Sequence, residues 1–478
     1  MESLNELTIK EALEGLKKGD FTSGQLVLDC FAAIEKRDPG IKAFITLTKE
    51  TALKAAKETD ELISKKGVNA FEDHPLLGVP YACKDNYCTK GIKTTAGSKV
   101  LENFESPYES TVTRKLQEAG AILLGKTNMD AFAHGSSTET SDFFTTRNPW
   151  NLDKVPGGSS GGSAAAVSAN MCTFAIGSET GGSIRGPASW CGVTGLKPTY
   201  GRISRYGLIA MASSTDSPGP ITKTVWDSAY ILEVLAGKDP LDATTAPNSV
   251  DDYSVDLDKP LEGLKVGKPK SYFEVDLQDG ISEKLEDFMA FLSDCGAEIV
   301  DVDLLDTKYS VAVYTILQRS EVSSNLARFD GIRYGNTRDS FGFEAKKRMM
   351  LGSYVLSAGY YDEYYAKAQK VRTLIIEDFD KAFEKVDVLV GPTMPCVALG
   401  LGESAENPMF GEIMDRLTEP STIAGLCGIT IPVGFVQSLP VGAQIMGNRF
   451  DEKKILNVAH VYQTHNGNFA LEKKGGIK

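Results

Sequence analysis

The chain has 478 residues, 42% of them hydrophobic and 24% charged, enough apolar material for a large core and roughly one to three domains. Acidic residues number 64 against 51 basic ones, and a net charge of −13 excludes the chain as a whole from gripping nucleic acid. No apolar run reaches the ~18 residues of a membrane span, and the first residues, Met1-Glu2-Ser3-Leu4-Asn5-Glu6, lack the basic-then-apolar order of a secretory signal. No membrane association is therefore expected. The eight cysteines are scattered without zinc spacing, and the Cys83-x4-Cys88 pair is too little for a metal; they read as reduced thiols of a cytoplasmic protein.

In chain order, residues 8–37 predict two helices separated at Gly19-Asp20. Thr8 with Glu11 and Thr22 with Gln25 form capping-box patterns at their starts. A strand follows over 43–47 and a charged amphipathic helix over 50–66. Leu77 to Cys83 is an apolar run that delivers Lys84 at its end. Residues 109–119 read as helix, and Ala121 to Leu124 as a buried strand ending in Gly125-Lys126-Thr127-Asn128. A polar loop, Gly135-Ser136-Ser137-Thr138-Glu139, comes next.

Val155 to Ser183 is unlike the rest. Among its 29 residues only Glu179 is charged, and from Gly157 to Gly207, 12 of 51 residues are glycine. Ala164 to Val167 reads as buried helix and Phe174 to Ile176 as buried strand. Serines flanked by glycines in such a stretch sit where the backbone can turn sharply and expose its N–H groups. A nucleophile with an oxyanion hole is built that way. Beyond it, 191–206 is rich in glycine and turn residues. Helices are expected at 224–235, 281–294, 310–329, 361–385, 419–426 and 451–464. Strands are expected at 264–268, 297–303, 386–390, 429–433 and 441–446. Residues 239–260 are polar and mark an excursion between subregions. Alternating strands and helices predict an α/β fold with a central mixed, largely parallel sheet covered by helices on both faces.

A nucleophilic serine needs a base. The chain has four histidines, His74, His134, His460 and His465, and only His134 lies near a loop able to line a site. Lys84 is the other option, because a lysine buried at the end of an apolar strand loses its proton near neutral pH. On position alone the reading as a surface residue after a strand outweighs it.

Gly157-Gly158-Ser159-Ser160-Gly161-Gly162-Ser163 together with Gly181-Gly182-Ser183-Ile184-Arg185 resembles the amidase signature family. Ser159 lies 24 residues before Ser183 and Lys84 lies 99 before it, spacings that fit the family's Lys-Ser-Ser triad. The resemblance implies the amidase-signature fold, Ser183 as nucleophile, Ser159 as bridging serine on a cis peptide bond, and Lys84 as base. It implies an oxyanion hole from the backbone N–H groups of Thr180, Gly181, Gly182 and Ser183. Further stretches, among them Gly125 to Asp130, Gly195 to Arg202, Ser323 to Gly331 and Ser357 to Tyr361, are similar to one branch of the family: the ammonia-supplying subunits of tRNA-dependent amidotransferases.

That branch implies one catalytic domain over 1–478. N-terminal helices would fill about 1–70, the signature core about 71–220, and a helical excursion on the partner and substrate side about 240–385. It implies glutamine as substrate, bound by Tyr314, Arg348, Asp415, Gly135 and Ser136. A guanidinium suits the α-carboxylate and a carboxylate the α-ammonium. It also implies two partner subunits in a heterotrimer, with ATP, Mg and tRNA held by a partner and no metal or cofactor on this chain. No G-x-x-x-x-G-K-[ST] motif is present. A free-standing amidase acting on small or aryl carboxamides is the alternative. The sequence departs from the branch at His134 for methionine, Glu179 for aspartate, Gly186 for glutamine and Ser217-Pro218 for Gln-Ile. The segment between Arg338 and Arg348 is short.

Overall fold

The computed structural model describes residues 3–333, 335–407 and 409–467. Its centre is an eleven-stranded sheet: β1 (Phe44–Leu47), β2 (Pro80–Lys84), β3 (Ile122–Thr127), β4 (Phe174–Glu179), β5 (Thr194–Lys197), β6 (Ser217–Thr222), β7 (Lys265–Pro269), β8 (Glu298–Val302), β9 (Val388–Pro392), β10 (Cys427–Val436) and β11 (Leu439–Gly447). The strand order is β1-β3-β2-β4-β6-β5-β10-β11-β9-β7-β8.

The sheet is mixed, as expected, but parallel pairing is confined to two blocks. β2 runs parallel to β3 and β4, and β7 runs parallel to β8 and β9. Between the blocks every junction from β4 through β11 to β9 is antiparallel, and edge strand β1 is antiparallel to β3. The "largely parallel" expectation therefore holds only within the blocks. β10 returns directly into β11 through Gln437-Ser438, and so short a link can join only antiparallel strands. β5 and β6 were not expected at all. β5 has four residues among turn residues, and β6 contains Pro218 and Pro220, which speak against a strand. Those prolines lie where β6 borders only β4, since β5 reaches only Ile221 and Thr222.

Strand alternation separates the two faces. Tyr81, Cys83, Phe174 and Ile176 face one apolar core, which takes in the helices Ile9–Lys18, Val225–Leu235, Ile281–Asp294 and Glu452–Asn466. Their neighbours Ala82 and Ala175 face the opposite core, with the helices Ser23–Ile41 and Gly161–Ser168. On that second face, Leu389 and Met446 pack against the long helices Thr307–Leu326 and Lys367–Phe383. Both expected capping boxes are formed, and Gly19 closes the first helix in the left-handed region at φ 75°. The 240–385 stretch supplies β7 and β8 as well as helices. One helix there, Phe343–Val355, was missed in the sequence.

Candidate active site

The C-terminal ends of the parallel strands β3, β2 and β4 lie side by side. β2 ends at Lys84, and the residues after β4 run directly into Thr180–Ser183. The loop before the helix Gly161–Ser168 brings Ser159 and Ser160 against them. Gly157 turns this loop at φ 84°, and a Cβ there would lie 2.8 Å from Pro187 Cα. The Gly158–Ser159 peptide bond is cis.

Lys84 is fully buried, and its Nζ has three neighbours: Ser159 Oγ at 2.7 Å, Ser160 Oγ at 2.8 Å and the Ser178 carbonyl at 3.0 Å. None is a carboxylate. With no carboxylate beside it, the amine lacks the counter-charge that would hold it protonated. Burial pulls the Lys84 pKa down to about 7, while the fields of Asp130, Asp216 and Glu179 oppose that shift. The neighbouring strand shows the contrast: Lys126, also buried, lies 3.4 Å from the Asp85 carboxylate. Lys84 and Ser159, two of the expected triad, are thus hydrogen-bonded. Ser183 is joined to them through the main chain, where the Ser160 N–H donates to the Ser183 carbonyl at 3.2 Å. Ser160, a third partner of the lysine, was not singled out from the sequence. Its place beside Ser159 in a Gly-Gly-Ser-Ser-Gly-Gly run was the available signal.

Among the described residues, none of the N–H groups of Thr180, Gly181, Gly182 and Ser183 has an acceptor in the protein. Four successive unpaired donors can receive an oxyanion. Their loop is clamped from below. Glu179 Oε2 accepts from the N–H groups of Ile184 and Arg185, both at 3.0 Å, and its Oε1 pairs with Arg185 Nη2 at 2.6 Å. Arg185 in turn donates to Ser421, Thr422 and Gln444. Burial raises the Glu179 pKa, yet the Arg185 charge and hydrogen bonds outweigh it and leave a net lowering. Glu179, a departure from the family pattern, is therefore a structural clamp. Another departure also has a packing reason: at Gly186 a Cβ would meet Met394 Sδ at 3.1 Å, so a methionine fills the space a side chain would take.

A small cavity opens beside Ser183. Gly135, Ser136, Tyr314, Arg348 and Asp415 all line it, so the expected recognition residues, which come from four separate stretches, are brought together. Ser136 Oγ donates to Asp415 Oδ2 at 2.8 Å. Burial lifts the Asp415 pKa to about 8. Arg348 Nε donates to Glu344 Oε1 at 2.7 Å. Three more charged residues line the cavity and were not foreseen: Arg319, Glu412 and Glu419. Arg319 and Glu412 are paired with each other. Glu419 opens a short helix and reads in sequence as an ordinary first-turn acid. A cavity of 730 Å³ adjoins, lined among others by His134, Glu139, Glu344 and Arg348. His134 makes no hydrogen bond to Ser183. Its two ring nitrogens are enclosed without a partner, and burial holds its pKa well below the usual imidazole range.

The chain belongs to the amidase family, whose description, Amidase, matches residues 25–456. Within that family it is 50% identical to the A-subunit of the glutamyl-tRNA(Gln) amidotransferase of Thermoanaerobacter pseudethanolicus, over 97% of each chain. It is 49% identical to the protein of the same description from Geobacillus sp., over 96% of this chain and 97% of that one. The crystal structure of the glutamyl-tRNA(Gln) amidotransferase A-subunit from Thermotoga maritima superposes with a TM-score of 0.83 at 40% identity, covering 98% of this chain and 96% of that one.

Proposed function

We propose that this chain is the glutamine-hydrolysing subunit of a tRNA-dependent amidotransferase, supplying ammonia for the ATP-dependent conversion of Glu-tRNA(Gln) to Gln-tRNA(Gln). The observation that carries the reading is the joint presence, in one cavity, of Ser183 and a recognition set fitted to an α-amino acid: Arg348, Tyr314 and Ser136-anchored Asp415. The near full-length similarity to subunits of that description supports it.

In this reading neutral Lys84 takes the Ser159 proton while Ser159 takes the proton of Ser183. The Ser183 oxygen attacks the side-chain amide carbon of glutamine. The resulting oxyanion is received by the N–H groups of Thr180 to Ser183, which have no acceptor within the protein. The proton returns along the same hydroxyls to the leaving nitrogen, ammonia departs, and water hydrolyses the acyl-enzyme. Arg348 holds the α-carboxylate and Asp415 the α-ammonium.

Two further subunits complete the enzyme as a heterotrimer, and ATP, Mg and tRNA belong to a partner. The exposed apolar side chains Phe343, Met350, Tyr354, Tyr360 and Tyr361 support a docked partner there, on and beside the helix that carries Arg348. No helix of the described residues is long and apolar enough to cross a membrane. In this reading the protein works in the cytoplasm, where tRNA is charged. The test is ammonia release from glutamine by the chain alone, then with partner subunits, ATP and Glu-tRNA(Gln). Weak release that the full set stimulates strongly is expected. Fast hydrolysis of simple amides, indifferent to partners, would refute the assignment.

A further inference from the structure

The cavity beside Ser183 holds more carboxyl groups than a single contact to an amino group uses. Among the described residues, both arginines that line it already have a carboxylate: Arg348 has Glu344 and Arg319 has Glu412. Asp415 and Glu419 are left over. Asp415 accepts from Ser136 through Oδ2, but its Oδ1 has no partner. Glu419 is fully enclosed, and neither of its oxygens has a partner. Enclosed carboxyl oxygens without donors are costly and call for an explanation. Position supplies one. The Glu419 Cγ lies 3.4 Å from where a Cβ on Gly181 would sit, and the Tyr314 hydroxyl lies 3.1 Å from the same point. Asp415 Oδ1 stands 2.7 Å from where a Cβ on Gly182 would sit. The two unmatched carboxyls thus flank the same pair of glycines and border the cavity that Ser183 opens onto.

We infer that Glu419 is a specificity-determining residue which, with Asp415, forms a two-carboxyl clamp on the α-ammonium of the substrate. The inference rests on the glutamine reading of the site. An ammonium brings three donors. One goes to the free Oδ1 of Asp415 and another to Glu419. Burial raises the pKa of both carboxyls when no cation is beside them. An ammonium within hydrogen-bonding distance favours their ionised forms, and the displaced proton passes to solvent. Amides without an amino group leave both carboxyls enclosed and bare, and the site rejects them for that reason.

The test compares L-glutamine with glutaramate, which has the same carbon chain and amide but no amino group. Ammonia release is read as kcat and KM on the full chain, alone and with the partner subunits, for wild type and for Glu419→Gln and Glu419→Val. Wild type is expected to prefer glutamine. Both variants are expected to raise the glutamine KM about tenfold, the size of one lost charged hydrogen bond, with kcat and the glutaramate values little changed. Glu419→Asp restores part of the preference. An unchanged glutamine KM, or an equal loss on both amides, overturns the clamp. Should neither variant fold, competition on wild type decides: L-norvaline is expected to inhibit glutamine hydrolysis and pentanoate is not. Equal inhibition by the two overturns the clamp. A wild-type chain that prefers glutaramate removes the glutamine reading and the clamp with it. A wild type that prefers glutamine, with Glu419 variants that keep the preference, removes Glu419 alone.

Discussion

Around Lys84 the polar groups are mutually satisfied: amine, two hydroxyls and a carbonyl close on one another without any ligand. In the adjoining cavity the reverse holds, with Asp415 Oδ1, both Glu419 oxygens and Arg319 Nε enclosed and unpartnered. The first region is finished by folding. The second carries unpaired polar atoms, whose cost a ligand removes by supplying donors and acceptors. The difference teaches where each kind of change will register. Damage to the first region lowers rate, and damage to the second weakens substrate binding.

Ser183→Ala removes the atom that forms the bond in the proposed mechanism and is expected to lower kcat for ammonia release by about 10⁴-fold or more. A variant that kept even a hundredth of wild-type turnover would move the nucleophile elsewhere. Lys84→Met keeps the volume and loses the proposed base, for an expected loss of about 10³-fold in kcat, with the glutamine KM little changed. In the proposed mechanism the same residue sets the acid limb of the pH profile. Below a pH of about 7 Lys84 is protonated and cannot accept a proton, so kcat/KM is expected to rise with pH through about 7. A profile flat from pH 6 to 8 would show that Lys84 is not the base.

Gly182→Ala probes the seam between the regions. Its new methyl would meet Thr418 Oγ1 and lie 2.7 Å from Asp415 Oδ1, so it disturbs recognition without touching the lysine. A rise in glutamine KM of about tenfold is expected, as for one disturbed charged hydrogen bond. A large fall in kcat with KM intact would erase the distinction drawn above. The smallest effect is expected from His134→Met, which replaces an enclosed, unpartnered imidazole by an apolar chain of similar volume. It should raise stability by about 1 kcal/mol, read as a higher melting temperature, and leave turnover near wild type. A drop in melting temperature would give His134 a structural role that its bare nitrogens do not show.

Much of the fold was legible because its signals are local. Thr8 with Glu11 and Thr22 with Gln25 marked helix starts that formed as written. The apolar run before Lys84 marked a strand, and the lysine stands at its end. β5 and β6 were hidden because neither keeps the composition of a strand; partners distant in the chain hold them in place, with β10 pairing along β5. The site divides the same way. Ser159 and Ser183 sit in a glycine pattern that can be read directly, whereas Lys84, at the end of an apolar strand, took its role from the resemblance. Tyr314, Arg348 and Asp415 came only from resemblance, since nothing local marks them. Glu419 escaped both routes: it begins a helix as many acids do, and only burial without a partner sets it apart.

The antiparallel ladder between β5 and β10 joins strands more than two hundred residues apart in the chain. Arg185, two positions after Ser183, reaches across the same seam to Ser421 and Gln444. Translation order therefore matters. A nascent chain carries Ser183 long before the ribosome has made Asp415, Glu419 or the residues that brace Arg185. The loop bearing Ser183 gains its last supports only when the final strands are in place. A product truncated before the final strands thus has Ser183 without the pocket residues Asp415 and Glu419, and is expected to release no ammonia from glutamine.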